Sequence, residues 1–411
     1  MSKQEAIAGI DIGTSAVRVV VGQRLDNGQV QLIGVGEAPS QGVKKGAIID
    51  LEEIVTPLSE ALEKVERMIG FQLSQTVVGI NGAHIKVVES QGVVAVGKPN
   101  GEVQQSDISR AVEQSQAVAT APNYEIIHVL PKYFNLDNQT NIRDPLGMTG
   151  IKLEAHTQII LALSAQVKLI SKCIYRTQLE VDGLVFAPLA TAQAVLTKRQ
   201  RDLGSAVINI GAGTTSVAIY EEGELLHAAV IPLGSDHITA DLAIGLRSSL
   251  EVAERVKIEQ GHASSDGISK RDEIDISKFS TEEMPRLLIS RKMIAEIIEA
   301  RLDEIVRMVS AELHTAGRAG KLPAGVILTG GGSKMSGIVE HVKEHLKLPV
   351  FLASNEQIVS PIDKVKDPRY STAVGLVYFA TPETSSAPTM PFKWAQQVFG
   401  PVVKKIRDWT S

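Results

Sequence analysis

Two stretches of the chain combine residue types that suit phosphate chemistry. Residues 8–21 read AGIDIGTSAVRVVV and residues 207–220 read VINIGAGTTSVAIY, so each has an apolar strand, a glycine turn with hydroxyls and a second apolar strand. Such a turn directs backbone N–H groups and hydroxyls into one small concavity that suits phosphate oxygens. Asp11 can orient waters around Mg²⁺, which keeps much of its water shell, and Arg18 can reach a phosphate. The acid of the first copy has Asn209 as its counterpart.

One such hairpin by itself is typical of an ordinary β-turn, whereas two copies predict a duplicated fold that grips phosphates from both sides. Further along the chain, other segments agree with this interpretation. Glu254 and Lys257 lie at i and i+3 on one face of a predicted helix, residues 249–261. Residues 325–338, GVILTGGGSKMSGI, predict a strand, a glycine turn and a helix start that can bracket a nucleoside.

The hydrophobic pattern predicts α/β elements that position these turns. Apolar runs at residues 6–22 and 30–36 are typical of strands, and short strands are predicted to dominate residues 76–163. Elsewhere apolar residues recur at helical spacing. The predicted helices are 50–69, 106–119, 165–182, 186–200, 236–261, 285–316 and 371–380, and the polar residues 261–280 are predicted to be loop-like.

Composition excludes several classes of protein. The chain has 411 residues, of which 44% are apolar and 22% charged, and its net charge is −5. These values are typical of a soluble globular protein and argue against nucleic-acid binding. The longest uncharged stretch, residues 183–197, is shorter than the roughly 20 apolar residues of a spanning helix, so any membrane contact is expected to be peripheral. The single cysteine, Cys173, is expected to be a buried structural thiol of a cytosolic protein.

The C-terminal residues differ in composition from the rest of the chain. Residues 381–391, TPETSSAPTMP, have the content of a flexible linker. Residues 392–411 predict a helix with an aromatic-rich apolar face and a basic face, which is typical of a helix lying in a membrane interface. Pro401 predicts a kink or a fresh helix start, and the alternative to membrane binding is a terminal helix packed on the protein's own core. The expected membrane contacts are Phe392, Trp394, Phe399, Val402, Val403, Lys404, Lys405, Ile406, Arg407 and Trp409.

The ordered set of glycine hairpins, nucleoside-type turn and small-residue helices resembles the actin-like ATPase superfamily over about residues 6–380. That resemblance implies two lobes of duplicated α/β, ribonuclease H-like architecture with ATP and Mg²⁺ between them. It implies that Asp11 and, through water, Asn209 hold the metal, and that Gln193 positions the attacking water of a weak ATPase together with Asp11. The nucleotide-binding residues that it implies are Asp11, Gly13, Thr14, Ser15, Arg18, Asn209, Gly211, Ala212, Gly213, Thr214, Thr215, Glu254, Lys257, Gly330, Gly331, Gly332, Lys334 and Met335.

Three longer stretches narrow the resemblance to one branch. Residues 138–156, residues 230–261 and the terminal amphipathic helix are similar to the FtsA family of bacterial cell-division proteins. This resemblance implies self-association into filaments, contact with an anionic membrane surface, and a role in tethering the FtsZ ring to the inner face of the cytoplasmic membrane at the septum. It also implies that Lys292 and Arg301 bind the C-terminal tail of FtsZ, and that other division proteins bind an inserted subdomain.

The expected domain boundaries follow the same resemblance. They are residues 1–82 and 165–203 for the core of the first lobe, 83–164 for the inserted subdomain, 204–240 and 317–380 for the core of the second lobe, 241–316 for its smaller subdomain, 381–391 for the linker and 392–411 for the membrane helix.

The change from Asp11 to Asn209 carries a functional hypothesis. In actin-like ATPases the acid of the second loop usually helps to hold the hydrated metal and the attacking water. An amide oxygen can still accept a hydrogen bond from a metal-bound water, but it supplies no negative charge. We therefore expect a protein that uses ATP mainly as a conformational ligand and hydrolyses it slowly. The alternatives are a pilus-assembly relative with the same subdomain layout and a sugar-kinase-type enzyme, for which no catalytic base stands out.

Overall fold

The computed structural model describes residues 6–25, 27–119, 122–280, 285–354 and 358–381, so the predicted membrane helix and nearly all of the predicted linker lie outside the described residues. The strands are β1 Ala6–Ile12, β2 Ala16–Arg24, β3 Val30–Pro39, β4 Val43–Lys44, β5 Ala47–Ile48, β6 Gln75–Ile80, β7 Lys86–Ala95, β8 Tyr124–Leu136, β9 Gln139–Ile142, β10 Lys152–Leu163, β11 Glu180–Phe186, β12 Ser205–Ile210, β13 Thr215–Glu221, β14 Glu224–Ile231, β15 Glu273–Asp275, β16 Leu288–Ser290, β17 Val326–Thr329 and β18 Val350–Leu352. The helices are α1 Glu52–Ile69, α2 Gln105–Ala119, α3 Ser164–Tyr175, α4 Ala187–Val195, α5 Lys198–Leu203, α6 Ser235–Leu246, α7 Leu250–Gln260, α8 Arg291–Thr315, α9 Ile338–Leu346 and α10 Ser371–Ala380. Within the described ranges, none of these helices is long and apolar enough to cross a membrane.

Two five-stranded sheets repeat the same topology. The first sheet has the order β11-β6-β1-β2-β3, and the second has the order β18-β17-β12-β13-β14 when it is listed in the same direction. In each sheet an antiparallel three-stranded meander is followed by two strands that run parallel to its first strand. The predicted duplication is therefore present in the strand order as well as in the glycine hairpins.

The local pattern explains why the helices form where they do. In α1 the residues Ile54, Leu58, Leu62 and Val65 recur at helical spacing and are buried against the first sheet. The helix ends at Gly70, whose φ of 82° is the left-handed conformation that glycine adopts at no steric cost.

A third sheet, with the order β7-β10-β8-β9, is inserted between β6 and α3. It is antiparallel throughout and packs against α2 around a core of its own, which includes Val112, Phe134 and Ile159. At Gly92 the helix approaches the sheet so closely that a Cβ atom would lie 1.9 Å from the carbonyl oxygen of Ala111. The inserted unit is thus a separate layer on the first lobe.

Helices α4 and α10 cross where the two lobes meet. A Cβ atom at Gly375 of α10 would lie 1.7 Å from the carbonyl oxygen of Ala190 in α4, so only glycine allows this crossing. Helix α10 also packs on the first sheet, where a Cβ atom at Gly9 would lie 2.6 Å from the carbonyl oxygen of Ala373. Close backbone contact of this kind makes the crossing a firm connection between the lobes.

Three sequence predictions differ from the structure. The helical spacing predicts helix through residue 182, but β11 begins at Glu180, because pairing with β6 overrides the local pattern. The polar residues 261–280 contain the short strand β15 and a 3₁₀ turn. The segment after β18 is expected in the second lobe, yet its residues pack on the first sheet, where the backbone N–H of Leu32 donates to the carbonyl of Val359 at 3.0 Å.

Candidate functional site

The two glycine hairpins have the same backbone geometry. In the first, the N–H of Gly13 donates to the carbonyl of Ala16 at 3.1 Å, and in the second the N–H of Gly211 donates to the carbonyl of Thr214 at 2.9 Å. A Cβ atom at either glycine would lie 3.0 Å from that same carbonyl oxygen. Each hairpin tip is therefore a tight turn in which the glycine brings the two strands unusually close.

The tips of both hairpins carry N–H groups with no partner in the described part of the chain. These groups belong to Thr14 and Ser15 in the first hairpin and to Ala212 and Gly213 in the second. Unpaired N–H groups at the end of a strand turn form a concavity that binds anions. The two tips are the part of the predicted site that fits phosphate best.

The two hairpin tips meet where the lobes come together. A Cβ atom at Gly213 would lie 2.5 Å from the hydroxyl oxygen of Thr14, so the second tip touches the first. Asn81, at the end of β6, reaches across as well, and its Nδ2 donates to the hydroxyl of Thr214 at 3.4 Å. The Oδ1 atom of Asn81 is buried without a partner among the described residues. Sequence reasoning missed Asn81, because a lone asparagine after a strand reads as a turn residue.

Asp11 and Arg18 lie on neighbouring strands, opposite each other in the β1–β2 register. Burial raises the pKa of Asp11, and the positive charge of Arg18 acts in the opposite direction. The Arg18 guanidinium is held by Glu37, with an Nη2–Oε1 distance of 3.0 Å and an Nε–Oε1 distance of 3.1 Å. The structure thus places Arg18 beside the first hairpin but in an ion pair, whereas the sequence predicted a phosphate contact for it.

Glu37 is the centre of a charged cluster that the sequence did not indicate. Its Oε2 accepts a hydrogen bond from the Tyr370 hydroxyl at 2.7 Å and lies 3.1 Å from Nζ of Lys364. Burial by itself raises the pKa of Glu37, but the Tyr370 hydroxyl, Arg18 and Lys364 outweigh it and lower the pKa to about 2. The carboxylate therefore ties β3 to the segment that leads into α10.

Asn209 takes part in a directional chain of hydrogen bonds at the helix crossing. Its Nδ2 donates to the hydroxyl of Thr372 at 3.2 Å, and the hydroxyls of Thr372 and Thr191 are 2.9 Å apart. Thr191 donates its own proton to the carbonyl of Ala187, so Thr372 must donate to Thr191 and accept from residue 209. An amide can fill that donor role and a carboxylate cannot. The hydrogen bonds at the helix crossing thus explain why residue 209 is an asparagine and not an aspartate.

The third glycine turn lies against the second hairpin. Gly330 has a φ of 84°, and a Cβ atom there would lie 2.2 Å from Oδ1 of Asn209. A Cβ atom at Gly332 would lie 2.4 Å from the side chain of Ile210, whereas Gly331 has only ordinary contacts. Lys334 pairs with Asp367 at 2.8 Å, and Met335 packs near Gly261 at the end of α7. The predicted adenine turn is thus joined to the predicted ribose helix.

Glu254 and Lys257 are joined to helix α6 through Thr239. Nζ of Lys257, which is buried, donates to the Thr239 hydroxyl at 2.8 Å and lies 2.6 Å from Oε2 of Glu254. The Thr239 hydroxyl in turn donates to Glu254. Nζ of Lys257 also donates to the carbonyl of Ser235 at 3.2 Å, so all three of its N–H groups have partners. The structure places Glu254 and Lys257 on one helical face, as their spacing predicted.

Two further candidates lie in helices, Gln193 in α4 and Cys173 in α3. Gln193 is half-buried in α4, the helix that crosses α10. Cys173 is buried in α3, and burial raises the pKa of its thiol to about 12. A thiol that stays protonated at neutral pH is not a nucleophile, so Cys173 is the buried structural residue that the sequence predicted.

The donor set fits ATP and Mg²⁺. The glycines let the backbone of each tip approach its neighbours closely, and the four unpaired N–H groups at the tips lack acceptors. The carboxylate of Asp11 makes no hydrogen bond within the described ranges, so it can take the waters of a hydrated cation. Asn209 can offer only its Oδ1 atom to metal-bound waters, because its Nδ2 donates to the hydroxyl of Thr372.

A second concave site lies between α6 and α8. It is a cavity of about 380 Å³ lined by Asp241, Ile244, Gly245, Ile297, Ala300, Arg301 and Glu304. The Arg301 guanidinium is paired with Asp241 through distances of 2.7 and 3.0 Å, and it also pairs with Glu304. Lys292 lies nine residues before Arg301, which in an α-helix is half a turn around the axis. The two predicted partner residues thus lie on opposite flanks of α8.

Solved structures with this architecture define the class of fold. The structure of the PilM–PilN type IV pilus biogenesis complex matches with a TM-score of 0.67 at 16% identity and covers 92% of this chain and 99% of that chain. MreB5 of Spiroplasma citri bound to ADP matches with a TM-score of 0.55 at 14% identity and covers 91% of this chain and 96% of that chain. The fold is actin-like, as the resemblance of the sequence to that superfamily implied.

The sequence matches identify the family within that class. The family model for cell division protein FtsA matches residues 206–375, and the model for the SHS2 domain inserted in FtsA matches residues 82–161. The cell division protein FtsA of Pseudomonas aeruginosa is 36% identical over 98% of this chain and 97% of its own length. The chain belongs to the FtsA family of cell-division proteins, and the resemblance seen in its sequence is confirmed.

Proposed function

We propose that this protein is an ATP-binding, membrane-tethered scaffold of bacterial cell division with weak ATPase activity at most. The observation that carries the proposal is the pair of hairpin tips, whose unpaired N–H groups meet from the two lobes. A phosphate chain held there contacts both lobes at once. ATP therefore acts as a conformational ligand, because it binds the arrangement in which the tips face each other better than one in which they are apart.

Each lobe contributes its own set of groups to ATP. The tip N–H groups and the hydroxyls of Thr14 and Thr214 donate to phosphate oxygens, and Asp11 accepts hydrogen bonds from metal-bound waters. Mg²⁺ supplies positive charge that neutralises the phosphates when it is bound. Arg18, held by Glu37, supports the first hairpin from behind and adds positive potential next to Asp11.

Slow hydrolysis follows from the same groups. Asn209 brings no charge to the metal side of the phosphates, and its Nδ2 is committed to Thr372. Gln193 is then the remaining candidate for positioning an attacking water, and a neutral amide is not a general base. The protein is expected to hold ATP for long periods and to stay in its nucleotide-bound conformation.

ATP binding is tested by a substitution that forces the two hairpin tips apart. In Gly213→Ala the added Cβ collides with the Thr14 hydroxyl at 2.5 Å, so the affinity for a fluorescent ATP analogue is expected to fall about 10-fold, equivalent to roughly 1.4 kcal/mol. Gly97→Ala is the matched control, because its Cβ lies 3.2 Å from a side-chain oxygen of Asp107 in the inserted unit. Equal affinities of the two variants would contradict phosphate binding at the tips.

The cavity beside Arg301 is the proposed site for the C-terminal tail of FtsZ. Its walls combine apolar side chains with the Arg301 guanidinium and the two carboxylates that pair with it, Asp241 and Glu304. A short peptide with an apolar residue next to a carboxylate suits this lining if its carboxylate shares the guanidinium with them. Ile244 is 78% exposed at its edge, which is unusual for an isoleucine and favours a partner there. Because Arg301 rather than Lys292 lines the cavity, we assign the main contact to Arg301.

Charge reversal separates these two residues. Arg301→Glu removes the proposed charge-assisted hydrogen bond from the guanidinium to the carboxylate of the tail peptide. Such a bond is worth about 1.5–3 kcal/mol, so the affinity for the peptide is expected to fall roughly 10- to 100-fold. Lys292→Glu makes the same change in charge on the opposite flank of α8 and is expected to have a smaller effect. Fluorescence anisotropy with the labelled peptide measures both, and an equal loss in the two variants would assign the effect to net charge.

Attachment to the inner face of the cytoplasmic membrane at the septum is the proposed role of residues 392–411. Each basic residue near an anionic leaflet contributes roughly 1 kcal/mol, so a single short helix binds reversibly. Self-association into filaments strengthens the attachment, because many helices then act together. The inserted unit is the proposed contact for other division proteins, and its exposed Leu146 and Ile151 favour this role.

A further inference from the structure

Helices α8 and α9 bring together three side chains that can ligate a metal ion. Asp303 comes from α8, while His341 and His345 lie one turn apart on the same face of α9. Oδ1 of Asp303 is 3.1 Å from Nε2 of each histidine, and the three ligand atoms all lie within 4.8 Å of one another. The cluster is remote in sequence from both hairpins and plays no part in the proposed ATP site.

The short distances in this cluster are not aligned hydrogen bonds. Neither Oδ1 of Asp303 nor Nε2 of His341 makes a hydrogen bond to any described residue, although both atoms are buried. Two ligand atoms on one tetrahedral zinc, each at about 2.0–2.1 Å from the metal, lie about 3.3 Å apart. The observed separations of 3.1 Å are close to that value. Oδ1 of Asp303 thus lies at the spacing of two ligands on one metal ion from the Nε2 atom of each histidine.

The surroundings orient the imidazoles as they do in metal sites. Nδ1 of His345 lies 2.8 Å from the backbone carbonyl of His341, so Nδ1 carries the proton and Nε2 keeps its lone pair. The side chain of His341 is only 3% exposed, which fixes its rotamer.

We propose that Asp303, His341 and His345 form a binding site for a divalent transition-metal ion of the zinc type, which joins α8 to α9. Two imidazoles and one carboxylate suit Zn²⁺, Co²⁺ or Ni²⁺, whereas Mg²⁺ and Ca²⁺ take oxygen ligands. His345 and Asp303 are partly exposed, which leaves an open position for water. Ligands from two helices hold those helices together, so metal binding is expected to stiffen the second lobe.

Titration of the full chain with Zn²⁺ and with Co²⁺ tests the site. Calorimetry is expected to give one specific Zn²⁺ ion per chain, and Co²⁺ is expected to develop the visible absorption of a tetrahedral complex. His345→Ala and Asp303→Asn, which change partly exposed side chains, are each expected to weaken Zn²⁺ binding about 10-fold or more and to remove the Co²⁺ spectrum.

His314→Ala is the matched control. Nδ1 of His314 lies 2.8 Å from the carbonyl of Ser310, the same contact one turn back that His345 makes, and no other metal-ligating side chain of the described residues clusters with it. This variant is expected to bind Zn²⁺ as the wild type does. The proposal is overturned if the wild type shows no specific Zn²⁺ binding, or if His345→Ala and Asp303→Asn bind as tightly as His314→Ala.

Discussion

Asn209→Asp is the substitution that tests most directly how the second hairpin is built. The native amide donates from Nδ2 to Thr372, which donates to Thr191, which donates to the carbonyl of Ala187. A carboxylate has no proton to donate. Either the Thr372 hydroxyl turns to the new acid and leaves Thr191 without its donor, or it stays and faces a second acceptor across 3.2 Å.

The expected loss of stability follows from removing one buried hydrogen bond from the series that runs from residue 209 to Ala187. Leaving a buried polar group unsatisfied costs about 1–3 kcal/mol, a large part of a typical unfolding free energy of about 5–15 kcal/mol. Urea unfolding followed by circular dichroism is therefore expected to show a lower midpoint with an unchanged slope. Because the chain joins α4 to α10, the loss weakens the connection between the lobes.

A double-mutant cycle with Thr372→Val tests whether the loss of stability in Asn209→Asp arises at the Thr372 hydroxyl. If residue 209 acts through the Thr372 hydroxyl, Asn209→Asp costs less in the Thr372→Val background, with a coupling energy above about 0.5 kcal/mol. An identical cost in both backgrounds would refute the directional series of hydrogen bonds.

The rate of ATP hydrolysis by Asn209→Asp is a second readout. The added negative charge is expected to bind hydrated Mg²⁺ more tightly and to raise the rate, and an unchanged or lower rate would count against the slow-hydrolysis hypothesis.

Two further predictions concern Glu37 and the C-terminal residues. The pKa of Glu37 is about 2, below the ordinary value of 4.5, so its contribution to stability is present above pH 4.5 and is lost as the pH falls towards 2. Unfolding midpoints of Glu37→Gln and the wild type are thus expected to converge in that range, and a constant difference would rule out the ion cluster as the cause. Deleting residues 392–411 is expected to leave ATP affinity unchanged and to abolish co-sedimentation with anionic liposomes; sedimentation equal to that of the full chain would eliminate the membrane-helix proposal.

Both the hairpins and most helices follow from short-range pattern. Glycine and hydroxyl residues at corresponding positions after two apolar strands predict the paired turns, and helix α10 occupies residues 371–380 as its sequence predicted. These features are local, because the conformation of a glycine turn or an amphipathic helix depends on neighbours within a few residues. The family resemblance rests on the same local stretches, so it requires no knowledge of which distant residues come into contact.

No local sequence pattern predicted the contacts between residues that are distant in the chain. Glu37 and Tyr370, Asn209 and Thr372, and Asp303 with the α9 histidines are each brought together by the packing of separate elements. Strand β11 likewise exists because β6 pairs with it, not because its own residues demand it. Residue types and spacing, with the family resemblance that they carry, were therefore enough to predict the class of fold and the two glycine hairpins. Tertiary packing decided which side chains pair and which N–H donors stay free. It also decided that Arg18 pairs with Glu37, since hydrogen bonds and ion pairs form between neighbours in space.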